Sequence, residues 1–222
     1  VTQNDPAQFS SVAQFFDVVL VDAPCSGSGL FRRDPDAMKE WSVDHVLHCS
    51  VRQKRIVEEI MPAVKEGGYL IYSTCSYSIE EDENIMAFIA NKEQWENVSI
   101  PIPDAWGIVT TSVQGLEGYR FFPNLVKGEG FFVTVFRKKE GAYQGSYFQR
   151  DTSLNLVTKK IEQQLRELLP EVNELAFIQH KEQFLAVPAM HFEAIQMLSK
   201  SLYIKMLGIS LGAYKGQDFI PH

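Results

Sequence analysis

The chain has 222 residues, 45% of them hydrophobic, enough to bury a real core as one large or two small domains. No apolar run reaches the roughly 18–20 residues that span a bilayer, and no signal-peptide pattern opens the chain. The net charge of −7 argues against a partner held by charge alone, nucleic acid included. Residues 1–139 hold 13 Lys/Arg against 19 Asp/Glu while 140–222 hold 8 against 9, so the acid excess lies in the first part. Local basic clusters remain at Arg32-Arg33 and between Arg52 and Arg55. Three cysteines with no C-x-x-C spacing argue against a disulfide scaffold and a structural zinc site, and fit a reducing cytoplasm.

Val1 to Gln14 reads as polar and turn-like around Asn4-Asp5-Pro6. The run Asp17–Val21 lacks alternation and predicts a strand buried on both faces of a parallel sheet. Pro24 and Gly27 to Gly29 make its exit loop. Ser42 to Lys65 predicts a crossover helix capped by Ser42, ended near Met61 by Pro62 and closed by Lys65-Glu66-Gly67-Gly68. A second strand follows at Tyr69–Ser73. Ser78-Ile79-Glu80-Glu81 has capping-box spacing and predicts a helix from Ser78 to about Asn91, with four acids at its positive end. Residues 96–100 predict a further strand. Arg120–Pro123 and Phe131–Arg137 predict an antiparallel edge joined through Lys127-Gly128-Glu129-Gly130.

Lys138 to Asp151 is charged and without period, and is expected to be a linker. Beyond it the pattern predicts a helix at Leu154–Leu169 and a strand pair around Phe177–Val187. A helix at His191–Leu202 and short strands to Ile220 complete a small α+β module. The domains expected are therefore 1–139, an incomplete doubly wound α/β sheet, then a linker over 140–152, then a module over 153–222. The chain reads as a fragment, with the glycine-rich cofactor loop of such a sheet expected before Val1.

Each of the first two strands ends in a cysteine, in Asp22-Ala23-Pro24-Cys25-Ser26-Gly27 and Ser73-Thr74-Cys75-Ser76-Tyr77. If the strands are parallel neighbours about 4.8 Å apart, both thiols open on one crevice. One such cysteine reads equally well as a small packed hydrophobe, but two at equivalent strand ends point to paired thiol chemistry. A thiolate adding to a pyrimidine ring makes the neighbouring carbon 5 nucleophilic, and a second group must then assist release. Cys75 suits the nucleophile, since a helix starting at Ser78 would lower its pKa. Asp22 suits a hydrogen bond to the ring edge, and Cys25 suits release.

These two motifs resemble the cysteine motifs of the Sun-type RNA cytosine-5 methyltransferases. Arg32-Arg33-Asp34-Pro35-Asp36, Gln53 and Gly128-Glu129-Gly130-Phe131-Phe132 resemble the family too. Leu202 to His222 is similar to the PUA-like C-terminal extension of a bacterial ribosomal-RNA member. The resemblance implies a Rossmann-like methyltransferase sheet and S-adenosylmethionine as cofactor. It implies methylation of cytosine carbon 5 in RNA, with ribosomal RNA as the partner, by a cytoplasmic monomer. It assigns base attack to Cys75 and release to Cys25, adenosine contact to Asp5, and both cofactor and cytosine to Asp22.

Arg32 and Arg33 are candidate phosphate contacts or a solvated pair, and Tyr77 a base-stacking or a packing ring. Phe121-Phe122 and Phe131-Phe132 read as sheet residues, and Cys49 as core. Lys205, Tyr214 and Lys215 are candidate RNA contacts. The five histidines show no metal spacing. Two other readings compete: an RNA-binding or ribosome-assembly factor on an inactive scaffold, and a thiol hydrolase, which needs a histidine base that neither strand end supplies.

Overall fold

A computed structural model of the chain describes residues 1–141, 154–168, 174–180, 182–215 and 218–221. It divides into two compact units, Val12–Gly145 and, together, Val1–Ser11 with Ser146–His222. The first eleven residues therefore belong with the second unit, not with the sheet that residues 1–139 were expected to form. Residues 142–153, most of the expected linker, lie outside the described residues, as does Pro170.

In the first unit, β1 (Phe16–Asp22) is followed by a short 3-10 turn at Ser28–Leu30, α1 (Ala37–Glu40) and α2 (Val43–Ile60). The side chain of Ser42 accepts the His45 N–H and caps α2, as its position predicts. Pro62 turns the chain through a 3-10 segment at Met61–Ala63 into β2 (Val64–Thr74). β2 is longer than expected. Lys65 to Gly68 do not stop a helix; they bulge from the strand, because the register with β1 jumps from Phe16↔Val64 to Val18↔Tyr69. Gly67 takes a φ of 73° there, and a side chain on Gly68 would meet the carbonyl oxygen of Asp17 at 2.8 Å.

Next come α3 (Glu83–Ala90), β3 (Trp95–Asn97), β4 (Val109–Val113), β5 (Leu116–Phe121) and β6 (Phe131–Lys138). The sheet order is β1-β2-β6-β5-β4, with β3 also paired to β6. Among the described residues only β1 and β2 run parallel; the expected antiparallel edge is present and one hairpin longer. That hairpin, β4–β5, turns on Gln114 and Gly115 at φ of 54° and 80°, a two-residue turn requiring positive φ.

Helices α2 and α3 bury Val57, Ile85, Met86 and Ile89 against Val21, Leu70, Tyr72, Phe132 and Phe136. β1 is not buried on both faces: Val19 and Val21 face this core, whereas Val18 and Leu20 are 53% and 62% exposed. The unit is a mixed α/β structure around a central sheet, consistent with a Rossmann-like methyltransferase fold.

The second unit is a five-stranded antiparallel sheet, ordered β11-β10-β9-β8-β7. Its elements are β7 (Asn155–Leu156), α4 (Lys159–Leu168), β8 (Leu175–His180), β9 (Gln183–Pro188), α5 (Phe192–Ser201), β10 (Ile209–Lys215) and β11 (Asp218–Pro221). The expected helix from Leu154 starts late because Asn155 and Leu156 pair with Gln179 and Ile178. Alternate residues feed two cores, as a pleated strand dictates. Phe177, Phe184 and Ala186 meet Leu165 of α4, and Ile178, Leu185 and Val187 meet Phe192 and Ile195 of α5. The N-terminal residues join this unit through an isolated bridge, Thr2↔Ile204, and the terminal ammonium donates to the Met206 carbonyl. Among the described residues no helix is long and apolar enough to cross a membrane.

Candidate active site

Parallel pairing sets Asp22 opposite Ser73, so β1 and β2 end level with each other. The Ala23 N–H donates to the Ser73 carbonyl at 2.9 Å, extending the pairing one step into the first loop. Pro24 and then Gly27, at φ 77°, turn the chain back. The result brings Cys25 and Cys75 together, with their Sγ atoms 2.8 Å apart. Both are half-buried and unoxidised. They line a cleft of about 880 Å³ shared with Asp22, Arg52, Glu129 and Phe131.

Two thiols this close share a proton. The hydrogen bond between them, in which either sulfur can be the donor, holds the Cys75 thiol below its ordinary value even though burial opposes ionisation. The same contact, with burial, pushes Cys25 well up. A helix N-terminus does not contribute as expected. Residues 79–82 form turns and α3 begins only at Glu83, too far along for its dipole to act on Cys75. The Ser78-x-x-Glu81 spacing is not a capping box either, because Glu81 points inward.

Asp22 stays at the mouth of the cleft, exposed, with one carboxylate oxygen accepting from the Ser73 hydroxyl at 3.0 Å. Asp5 lies in the other compact unit. It opens the 3-10 segment Pro6–Val12, accepting the Ala7 N–H at 3.1 Å. The structure thus gathers Asp22, Cys25 and Cys75, and places Asp5 on a separate body.

A third loop closes the site. The Gly29 N–H donates to the Cys75 carbonyl at 2.8 Å, and the Gly130 N–H donates to the Gly29 carbonyl at 3.0 Å. Arg32 is committed to this loop: its guanidinium donates to the Gly128 carbonyl and pairs with Glu129 at 3.3 Å. Arg33 is exposed. Tyr77 stacks on Phe122 at 5.7 Å and its N–H donates to Ser28 Oγ, a packing role. Phe132 is fully buried while Phe131 lines the cleft, and Cys49 is buried in the first unit. In the second unit Tyr214 packs on Phe184 and Phe219 and donates to Gln164, whereas Lys205 and Lys215 are exposed.

Sequence reasoning missed the layer behind the thiols. Glu81, with no exposed surface, accepts from Ser26 and Ser76, and Gln53 donates both to it and to the Pro24 carbonyl. The available signal was weak: Cys25 and Cys75 are each followed by a serine that turns inward to the same acid, but Cys49 is also followed by a serine, which donates to the Glu80 carbonyl. Arg52 and Glu129 line the cleft from α2 and from the loop before β6; the sequence marked the first within a basic cluster and the second within the Gly128–Phe132 resemblance, without placing either at the site.

The model of the family described as 16S rRNA methyltransferase RsmB/F matches residues 1–137. Ribosomal RNA small subunit methyltransferase F of Enterobacter sp. (strain 638) is 35% identical over 131 residues, 58% of this chain and 27% of that protein. The same enzyme of Aliivibrio salmonicida (strain LFI1238) is 29% identical over 177 residues, 75% of this chain and 37% of that protein. The chain thus spans between about a quarter and two fifths of these relatives. Among solved structures it is similar to NSun6 from Pyrococcus horikoshii with SFG, an S-adenosylmethionine analogue. The TM-score is 0.52 at 25% identity, covering 63% of this chain and 34% of that one. With the matching model extending over well over half its length, the chain belongs to the 16S rRNA methyltransferase RsmB/F family.

Proposed function

We propose that the chain carries the reacting residues of an S-adenosylmethionine-dependent enzyme that methylates carbon 5 of a cytosine in ribosomal RNA, through a covalent adduct on Cys75. The observation that carries this reading is the 2.8 Å approach of two thiols in a cleft that also holds a carboxylate. Core packing has no use for that arrangement. Covalent pyrimidine chemistry needs all three groups.

Cytosine carbon 5 is a poor nucleophile. The Cys75 thiolate adds to carbon 6 and forms the S–C bond, and the ring electrons move toward carbon 5 as ring nitrogen 3 takes up a proton from solvent, which it returns when the ring is restored. Asp22 at the cleft mouth hydrogen-bonds the polar edge of the ring and favours that protonated form. S-adenosylmethionine, the cofactor of this family, supplies an electrophilic methyl group. Cys25 then takes the proton from carbon 5, the Cys75–carbon 6 bond breaks, and the electron pair of the lost C–H bond restores the ring. Cys25 must release its own proton to solvent before it acts as base, so one thiol serves as nucleophile and the other as base within one cycle.

The residues present suit the cofactor's chemistry: the exposed Asp22 carboxylate offers an anionic acceptor to its hydroxyls and its positive charge. We also read the second unit as a PUA-like RNA-binding module, supported by its five-stranded sheet with two helices and by the alignment that runs 177 residues. Its exposed Lys205 and Lys215 serve as phosphate contacts.

The test is a denaturant-stable adduct between the full-length protein and RNA containing 5-azacytosine. Cys75→Ala should form none, and Cys25→Ala should accumulate adduct on ordinary cytosine RNA. Adduct formation by Cys75→Ala would reassign the nucleophile.

A further inference from the structure

Glu81 is wholly buried, and every donor around it comes from a segment that shapes the active site. Its Oε1 accepts the Ser26 N–H at 2.8 Å and a Gln53 Nε2 hydrogen at 3.1 Å. Its Oε2 accepts the Ser26 hydroxyl at 2.5 Å and the Ser76 hydroxyl at 2.6 Å. Ser26 follows Cys25 and Ser76 follows Cys75, so a single carboxylate spans both cysteine loops. Gln53 ties the same point to α2 and to the Pro24 carbonyl. The Ser78 N–H occupies a lone pair of Ser76 Oγ, which leaves the Ser76 proton for Glu81.

An ionised carboxylate accepts only, so it fixes the direction of every hydroxyl that meets it. Charge-assisted bonds of this kind are about twice as strong as neutral ones. The acid also has a cost, because its negative charge opposes the Cys75 thiolate.

We propose that Glu81 is a positioning residue, locking the Cys25 and Cys75 loops in the mutual register that the thiol chemistry requires. The role rests on the reading of Cys75 as nucleophile and Cys25 as its partner. Glu81 touches neither substrate nor cofactor, and acts through the two serines.

The test uses the full-length protein as wild type, E81Q, E81A and the double variant S26A/S76A, with two readouts. One is the pH profile of Cys75 alkylation by iodoacetamide, followed by peptide mass spectrometry. Besides Glu81, Cys75 faces Cys25 and Asp22 from the β1 end, Arg52 from α2 and Glu129 from the loop before β6, none of which these variants change. The other is the rate of adduct formation with 5-azacytosine RNA.

In E81Q the carboxamide oxygen can accept from Ser26 N–H and Gln53, and its NH₂ can donate to both hydroxyls. E81Q should therefore keep adduct formation near wild type while its alkylation profile moves to lower pH. E81A and S26A/S76A should slow adduct formation about 100-fold, the order of loss that a 1 Å misplacement brings. Wild-type adduct rates in S26A/S76A, or an unmoved E81Q profile, overturn the role of Glu81 even if E81A does not fold. A wild-type protein that alkylates normally but forms no adduct overturns the methylation reading instead.

Discussion

Glu81 and Asp82 are adjacent, fully buried and acidic, yet they are accommodated differently. Glu81 is met by four donors from three segments and carries no neighbouring cation among its hydrogen bonds. Asp82 accepts one hydroxyl, from Thr74 at 2.6 Å, and its other oxygen faces Arg120 at 3.0 Å as an ion pair without hydrogen-bond alignment. Burial wins at Asp82, whose carboxyl is pushed up to about 8. Glu83 is also disfavoured by burial, but the Arg120 guanidinium donates to both its oxygens and holds it below the usual range. Donor count fixes geometry, which the thiol loops need; a shared cation fixes charge, which the start of α3 needs.

The largest effect should come from removing that cation. Arg120→Ala leaves Asp82 and Glu83 buried without their partner, and unfolding in urea should show a loss of about 3–5 kcal/mol. A loss under 1 kcal/mol would mean the two acids reach water by another route. Next is Gly29→Ala, whose new Cβ would meet the Gly130 carbonyl oxygen at 2.5 Å and the Cys75 carbonyl oxygen at 2.6 Å. Forcing those loops apart should cut adduct formation about 100-fold, and an unaffected rate would show that the third loop does not govern thiol placement.

Asp82→Asn separates the two modes of burial by pH. The folded carboxyl keeps its proton up to about 8 but releases it near 3.8 when unfolded, so the folded chain holds the extra proton between them. Stability contributed by this site is present at low pH and lost as pH rises toward 8. Urea midpoints at pH 5 and pH 9 should therefore fall further in the wild type than in Asp82→Asn; equal falls would contradict the shift. The smallest effect is expected for Arg32→Ala, whose side chain is 55% exposed beside Glu129. Its loss should cost about 0.2–1 kcal/mol in the same assay.

The front of the site was legible and the back was not, for physical reasons. Apolar runs announce β1 and β2, parallel pairing levels their ends, and cysteines at both ends must then converge. Glu80 to Glu83 look alike in sequence, and Ser-x-x-Glu spacing cannot say whether a glutamate caps a helix or turns inward. The donors that decide it, Ser26 and Gln53, are 55 and 28 residues away along the chain. β4 escaped notice because Val109-Thr-Thr-Ser-Val113 has only two apolar residues, and the Gly67-Gly68 bulge imitates a helix stop. In the second unit, alternation located β8 and β9 well, but two-residue β7 exists only through its pairing partner.

The thiol–thiol spacing has a bearing on the proposed attack on a base. Atoms of a ring need about 3.5 Å from each neighbour they touch, so nothing planar slides between sulfurs 2.8 Å apart. The base attack proposed for Cys75 therefore carries a geometric requirement: one sulfur must swing aside before a ring can reach the other.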